Sequence, residues 1–203
     1  MQTFVHGEGR LPESVGNALA QYRHQIFVEQ LGWRLPLAID GFERDQYDRD
    51  DTVYVVAHDE SDSICGCARL LPTTLPYLLK DIFPFLIAER ASAPQSADIW
   101  ELSRFAVSQR ATGGPAQSSH SWDFRPMLAS VVRCAAQLGA RQLIGVTYLS
   151  MERLFRRIGV HAHRAGPVQS IDGKMVVACW IDIDSQTLSA LGIDLPVTPA
   201  LSS

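Results

Sequence analysis

The sequence predicts a single α/β domain, and three observations carry that prediction. Short apolar runs of strand character alternate with segments whose apolar residues recur at helical spacing, from one end of the chain to the other. The 203 residues are 46% apolar and 20% charged, with 14 Gly and 11 Pro, which is ordinary globular composition and excludes collagen-like, disordered and low-complexity classes. That length suits one core, and no internal repeat divides it, so residues 1–203 read as one domain with a weakly specified tail over 192–203.

The elements follow in order. Phe4-Val5 belongs to a short first strand. Val15, Ala18, Leu19, Tyr22 and Ile26 recur at helical spacing with Pro12 in the first turn, which predicts an amphipathic helix over roughly 12–28. From Gly32 to Asp51 periodicity vanishes while aromatic and acidic residues alternate, so this stretch reads as a long structured loop. Loops of about 20 residues are uncommon in compact domains unless they are functional. Val53–Ala57 and Ile64–Leu71 read as strands joined by the polar turn 59–63, Pro76–Arg90 as partly helical, and Ile99–Val107 as a further strand. Residues 109–121 are rich in helix and strand breakers and read as a mobile loop. Met127, Leu128, Val131, Val132, Ala135 and Leu138 mark a helix stopped by Gly139, and Leu143–Thr147 is a buried strand. Met151, Leu154, Phe155 and Ile158 mark another helix, with Ser150 as its N-cap and Gly159 at its end. Asp172-Gly173 is a two-residue hairpin turn ahead of a strand over Met175–Ile183.

Composition narrows the function. Eighteen basic and 22 acidic residues give a formal charge of −4, against the basic balance of a nucleic-acid binder. Cys65, Cys67, Cys134 and Cys179 form no CxxC pair, and the N-terminus has neither the basic nor the apolar region of a secretory leader. No apolar run is long enough to span a bilayer. The expectation is a cytoplasmic protein with no membrane partner.

There is no P-loop, GxGxxG, HExxH or GxSxG. His161 and His163 lack the further ligands a metal would need, and Cys65 and Cys67 sit in a strand pattern as small hydrophobes, so neither metal nor thiol chemistry is expected. A set of charges among aromatics stands out instead: Arg23, Phe27, Trp33, Asp45, Asp48, Arg69, Glu101 and Arg104. The acidic run 43–51 lacks the central Gly and terminal Glu of an EF-hand loop. Arg69 and Glu101 each interrupt an apolar strand, where a charge is costly unless paired or used.

These residues fall in four blocks: Tyr22-Arg23-His24-Gln25-Ile26-Phe27-Val28-Glu29-Gln30-Leu31-Gly32-Trp33, Glu43-Arg44-Asp45-Gln46-Tyr47-Asp48, Cys67-Ala68-Arg69-Leu70 and Trp100-Glu101-Leu102-Ser103-Arg104-Phe105. In order and spacing they resemble the LuxI-type acyl-homoserine-lactone synthases, over nearly the whole chain and with a close likeness to an octanoyl-making branch. The resemblance implies a three-layer α/β/α sandwich around a central mixed, twisted sheet, of the acetyltransferase (GNAT)-like kind. It implies an acyltransferase that makes a quorum-sensing signal from S-adenosylmethionine, a substrate rather than a cofactor, and an acylated acyl carrier protein. The amine of the first attacks the thioester of the second, and the methionine carboxylate then displaces methylthioadenosine to close the lactone.

By the same resemblance, Arg23, Phe27, Trp33, Asp45, Asp48, Arg69, Arg104 and Phe105 bind S-adenosylmethionine, and Glu101, Arg69 and Arg104 are catalytic, with Glu101 the general base. Phe27 and Trp33 offer faces to the sulfonium and the adenine, Asp45 and Asp48 suit its ammonium, and the arginines grip carboxylates. Leu102, Ser103, Leu143, Val146, Thr147, Met151, Leu154 and Phe155 are expected to line the acyl pocket. Arg153, Arg156 and Arg157 offer a docking face for the acidic carrier protein. Two alternatives stand beside this reading. One is a GNAT-like acyltransferase using acyl-coenzyme A, although Pro115 spoils the pyrophosphate loop at 110–115. The other is a binding module in which Arg69 and Glu101 are only structural. Finally, strict alternation puts Glu101 and Arg104 on opposite sheet faces, so one shared site predicts a β-bulge near Leu102–Arg104.

Overall fold

A computed structural model describes residues 2–6, 11–108 and 123–194. The breaker-rich loop at 109–121, with its 110–115 segment, and the tail from 195 lie outside the described residues. The chain runs β1 (Gln2–His6), α1 (Glu13–Arg23), a π-helical turn (His24–Gln30), β2 (Val53–His58), β3 (Ile64–Pro72), α2 (Leu78–Ile82), a 3₁₀ turn (Pro84–Leu86) and β4 (Ile99–Val107). It continues with α3 (Arg125–Gln137), β5 (Gln142–Tyr148), α4 (Leu149–Arg157), β6 (Ala162–Arg164), β7 (Gln169–Ile171), β8 (Lys174–Asp182) and α5 (Ser185–Ala190).

The strands form one mixed eight-stranded sheet in the order β1-β2-β3-β4-β5-β8-β6, with β7 also on β8. Neighbours are antiparallel except β4 and β5, which are parallel and joined by the α3 crossover. On one face α3 and α4 bury Met127, Leu128, Val131, Val132 and Phe155 against Val55, Ala68, Leu70, Leu102 and Leu143. On the other, α1 packs Leu19 and Tyr22, and the π turn packs Ile26, against Tyr54, Val56 and Cys67, while Tyr77, Leu79 and Leu86 cover Leu71 and Ile144. Helices on both faces of a mixed sheet make the three-layer sandwich expected from the sequence.

Differences from the sequence expectations have local causes. The first helix stops being α-helical at Arg23 and widens into the π turn, without breaking. Ser150 is not an N-cap: Leu149 is already helical, and Tyr148 holds the extended cap position with no side-chain hydrogen bond. β6 and α5 were not expected, being 3 and 6 residues long and so below the reach of periodicity. The Asp172-Gly173 turn forms as expected, with φ of +49° and +74° at its two central residues, the paired positive values of a type I′ hairpin. The four cysteines are free and buried, and burial pushes the Cys67 thiol up to about 12. No described helix is long and apolar enough to cross a membrane.

Candidate functional site

The site is built where β4 parts from β5. The two strands pair only from Ile99–Gln142 to Glu101–Ile144. At the next step Gly145 lets the backbones touch, since a Cβ there would lie 2.2 Å from the Leu102 carbonyl oxygen. Beyond it β4 continues with β3 to Val107, and β5 continues with β8 to Tyr148. The parallel pair therefore parts beyond Glu101 and Ile144.

β4 then carries the expected bulge. Arg69 pairs with Ser103 and Cys67 with Ala106, so Arg104 and Phe105 together face Ala68, and Arg104 adopts φ of +53°. The extra residue brings Arg104 onto the face of Glu101 and Ser103. Phe105 goes to the opposite face, where its ring meets Phe124 and Phe155 at 6.4 and 6.3 Å. This corrects one placement: the Phe105 side chain does not join the charged residues with which its motif groups it.

Those charges form one network. Arg23, the last residue of α1, donates to Glu43 and, at 2.7 Å, to Asp48. Arg69 donates to Asp45 at 2.5 Å, Asp48 at 3.0 Å and Ser103 at 3.0 Å. Arg104 donates to Glu43 at 2.8 Å and Asp45 at 2.9 Å. Three guanidinium groups thus meet three carboxylates with formal charges cancelling. Burial alone would push Glu43 up, but the hydrogen bond from Arg104 and the charge of Arg23 outweigh it and hold the carboxyl below its usual range. Asp48 is depressed in the same way, by Arg23 and Arg69. Two donors stay open: Arg23 Nη2 and Arg69 Nη2 are buried without a hydrogen-bond partner among the described residues. Sequence reasoning singled out Asp45 and Asp48 but not Glu43, which is fully buried and links Arg23 to Arg104. Its signal was membership of the same acidic block.

The long loop earns its order through hydrogen bonds of its own. Glu43 N–H donates to the Ala20 carbonyl of α1, and Asp45 accepts from Tyr47 N–H while its own N–H donates to Asp48. Turns closed by Asp side chains are why this acidic run folds back instead of standing in solvent. Tyr47 is buried beneath the Arg69 guanidinium. The π turn sets the aromatic wall. Trp33 N–H donates to Phe27 O at 2.8 Å, the two rings lie 4.8 Å apart, and the Arg104 guanidinium stands 5.6 and 5.8 Å from them. π turns concentrate at functional sites because the extra residue re-aims side chains.

Glu101 is fully buried, and its two oxygens accept from Leu78 N–H at 2.9 Å and Leu79 N–H at 2.6 Å. Burial pushes its carboxyl up to about 7, although those two bonds and the charges of Arg69 and Arg104 pull the other way.

The expected acyl-pocket residues divide. Leu102, Leu143 and Phe155 share one apolar cluster, with Met151 and Leu154 packed against it on the α3–α4 face. Val146 packs into the cluster on the other face, Ser103 is engaged by Arg69, and Thr147 is half-buried near the end of β5. Arg153, Arg156 and Arg157 are exposed on α4, and Arg156 also reaches the buried Glu152 at 3.4 Å. His161 pairs with Asp184 at 2.6 Å and His163 with Asp182 at 3.2 Å. No group of three or more metal-ligating side chains occurs among the described residues.

Known proteins resemble the chain throughout. A sequence profile of the family described as autoinducer synthase matches residues 10–191. An acyl-homoserine-lactone synthase of Ralstonia nicotianae is 67% identical over 196 residues, covering 95% of this chain and 94% of that protein. The crystal structure of TofI in a ternary complex with an inhibitor and MTA superposes with a TM-score of 0.84 at 62% identity, covering 96% of this chain and 98% of TofI. BjaI, a CoA-dependent acyl-homoserine lactone synthase solved with SAM and isopentyl-CoA, gives a TM-score of 0.78 at 28% identity, over 94% of this chain and 89% of its own. For the fold alone, a Lactobacillus plantarum chain described as an N-acetyltransferase gives 0.58 at 19% identity, over 90% of this chain and 98% of that one.

Proposed function

The chain belongs to the autoinducer synthase family and is an acyl-homoserine-lactone synthase, an acyltransferase; from that premise we propose that it joins S-adenosylmethionine to an octanoyl group delivered by acyl carrier protein. One juxtaposition carries the reading. The charge-balanced cluster, with two buried guanidinium nitrogens unpartnered, lies against the Phe27–Trp33 wall through Arg104. A buried donor without an acceptor costs about 1–3 kcal/mol, so a carboxylate brought to Arg23 and Arg69 is favoured there. The aromatic faces suit a sulfonium and an adenine, and Asp45 and Asp48 suit an ammonium. S-adenosylmethionine carries all four groups.

In this mechanism the ammonium first loses a proton to Glu101, directly or through a water. A carboxyl poised at about 7 is matched to that task near neutral pH. The free amine adds to the thioester carbonyl, and the tetrahedral adduct collapses to the amide as the carrier thiolate leaves. Arg69 and Arg104 then hold the methionine moiety curled, so that its carboxylate displaces methylthioadenosine and closes the lactone. A thioester is already activated, so no enzyme nucleophile is called for, and burial raises the Cys65 and Cys67 thiols away from that role.

For the chain length, Leu102, Leu143, Met151, Leu154 and Phe155 supply bulky apolar walls beside the point where β4 and β5 part, which favours a medium chain. Each CH₂ is worth only about 0.8 kcal/mol of burial, so neighbouring lengths are minor products. In this reading Thr147 is not a specificity residue, and a 3-oxo group has no assigned partner. Exposed Arg153, Arg156 and Arg157 suit an acidic carrier protein. Four free buried thiols suit a reducing cytoplasm. The test is competition among octanoyl, hexanoyl, decanoyl and 3-oxo-octanoyl carrier proteins and octanoyl-coenzyme A, with the lactones weighed by mass spectrometry. The highest kcat/KM is expected for octanoyl carrier protein. A higher value for the 3-oxo substrate would make Thr147 a specificity residue, and a higher value for the coenzyme A ester would overturn the carrier assignment.

A further inference from the structure

Trp33 is held from a side that the chemistry above does not use. Its indole N–H donates to the Tyr148 hydroxyl at 2.5 Å. Tyr148 is the last residue of β5, and its ring stands edge-on to the indole. Lys174, the first residue of β8, places its ammonium 5.5 Å from the centre of the Tyr148 ring and 3.4 Å from the hydroxyl. The same ammonium donates to the Leu31 carbonyl at 2.5 Å. Leu31 and Trp33 flank Gly32, whose φ of +68° turns the chain out of the π helix. Contacts thus run from the strap 31–33 to Tyr148 and Lys174, joining the half of the molecule that holds the charged cluster to the β5–β8 half across the point where β4 and β5 part.

We propose that Tyr148 and Lys174 are positioning residues for S-adenosylmethionine, acting through Trp33 and the 31–33 strap and touching no reacting atom. This rests on the reading of the Phe27–Trp33 wall as part of the S-adenosylmethionine site. An aromatic wall recognises a sulfonium or a purine only when its plane is fixed, and the terminal torsion of a tryptophan is broad unless something selects one orientation. Phe27 supports one side of the indole, and the hydrogen bond to Tyr148 fixes its edge. Lys174 in turn orders Tyr148 from beyond the ring and ties down the strap through Leu31. Pre-organisation of this kind lowers the ordering cost of binding, so its loss appears in affinity for the ligand on that wall. Neither residue belongs to the four sequence blocks. Tyr148 follows an apolar strand and Lys174 follows a turn, so they become recognisable only when the hairpin meets the strap.

The experiment uses the full chain with Tyr148→Phe, Lys174→Met and Lys174→Arg. Calorimetry gives Kd for S-adenosylmethionine, and steady-state release of methylthioadenosine gives KM for each substrate. Tyr148→Phe and Lys174→Met are expected to raise Kd and KM for S-adenosylmethionine by about three- to tenfold, the effect of one lost hydrogen bond. KM for the acyl donor and kcat at saturation should stay within twofold of wild type, and Lys174→Arg should restore the affinity. An unchanged Kd in Tyr148→Phe overturns the proposal, as does equal weakening for both substrates, which marks a general packing defect. Wild-type protein with no affinity for S-adenosylmethionine overturns the parent reading and this inference with it.

Discussion

Arg104 and Phe105 are neighbours in sequence and lie on opposite faces of the same strand. On the Arg104 side, six formal charges from α1, the 32–51 loop, β3 and β4 cancel within one buried network. On the Phe105 side, Phe105, Phe124 and Phe155 join the aliphatic cluster under α3 and α4. The two faces respond differently to loss. An apolar face spreads its stabilisation over many weak contacts, so that a similar volume restores most of it. The polar face is closer to all-or-none, because removing one partner leaves a buried charge opposite nothing. The same asymmetry makes one face an adaptable support and the other a site of fixed geometry.

The largest expected effect tests whether the polar face does chemistry as well as binding. Glu101→Gln should lower kcat by about two to four orders of magnitude, the usual worth of a general base, while S-adenosylmethionine still binds. Unchanged turnover removes Glu101 from that role. The pH dependence has a definite sign. Burial raises this carboxyl from 4.5 to about 7, so its contribution to stability is fully present below 4.5 and is lost as pH rises to about 7. As the proposed general base Glu101 works in its ionised form, so activity should rise over the upper part of the same window. Wild-type kcat should therefore show an acidic limb near 7, while thermal stability falls across it; Glu101→Gln should flatten the stability trend.

A second contrast compares the faces directly. Arg69→Met should cost about 3–5 kcal/mol by denaturant titration, because Asp45 and Asp48 lose a buried partner. Leu128→Met, equally buried on the other face, should cost less than about 1.5 kcal/mol. In the cycle of Arg104→Met with Glu43→Gln, the double variant should be less destabilised than the sum of the singles by about 0.5–3 kcal/mol. Additive losses would mean that the network is six independent groups.

The apolar face was more legible in the sequence than the polar one. Helical spacing marked α3 and α4, and the hairpin turn announced itself, because periodicity and turn chemistry are local. The charged residues were conspicuous individually, Arg69 and Glu101 most of all, but their partners lie 20 to 61 residues away in sequence. No local pattern says that Arg104 meets Glu43, or that Ser103 accepts from Arg69. The bulge could be anticipated because two residues an odd number apart had to share a site. Phe105 was misplaced for the same reason: a motif groups neighbours, whereas a strand sends them to opposite faces. The cap at Tyr148 and the short β6 and α5 carried too few residues to produce a pattern.

A smaller effect tests the seam between the faces. Gly145→Ala puts a methyl where the Leu102 carbonyl stands, and both neighbours are backbone in paired strands. Overpacking of this kind costs about 1–3 kcal/mol. It should also force β4 and β5 apart before the point where they naturally part, changing acyl-length preference more than affinity for S-adenosylmethionine. Wild-type stability and an unchanged lactone profile would show that the close approach is incidental.

The smallest expected effect concerns charges that are exposed rather than buried. Arg153, Arg156 and Arg157 all project from α4 into solvent, but they are not equivalent. Arg156 lies 3.4 Å from the buried Glu152, so Arg156→Glu sets a second carboxylate beside one that is already desolvated, and a stability loss would confuse the reading. Arg153→Glu with Arg157→Glu avoids this. Exposed charges are worth about 0.2–1 kcal/mol each, so the double reversal should raise KM for the acyl carrier protein by about three- to tenfold at low salt. KM for S-adenosylmethionine should stay at its wild-type value. Because such charges are screened beyond about 8–10 Å at ordinary ionic strength, the difference from wild type should shrink as salt rises. The buried cluster should not respond to salt in this way, so variants of Arg69 keep their defect under the same titration. A reversal effect that survives high salt would place Arg153 or Arg157 in direct, desolvated contact with the donor and remove the distinction between the two kinds of charge.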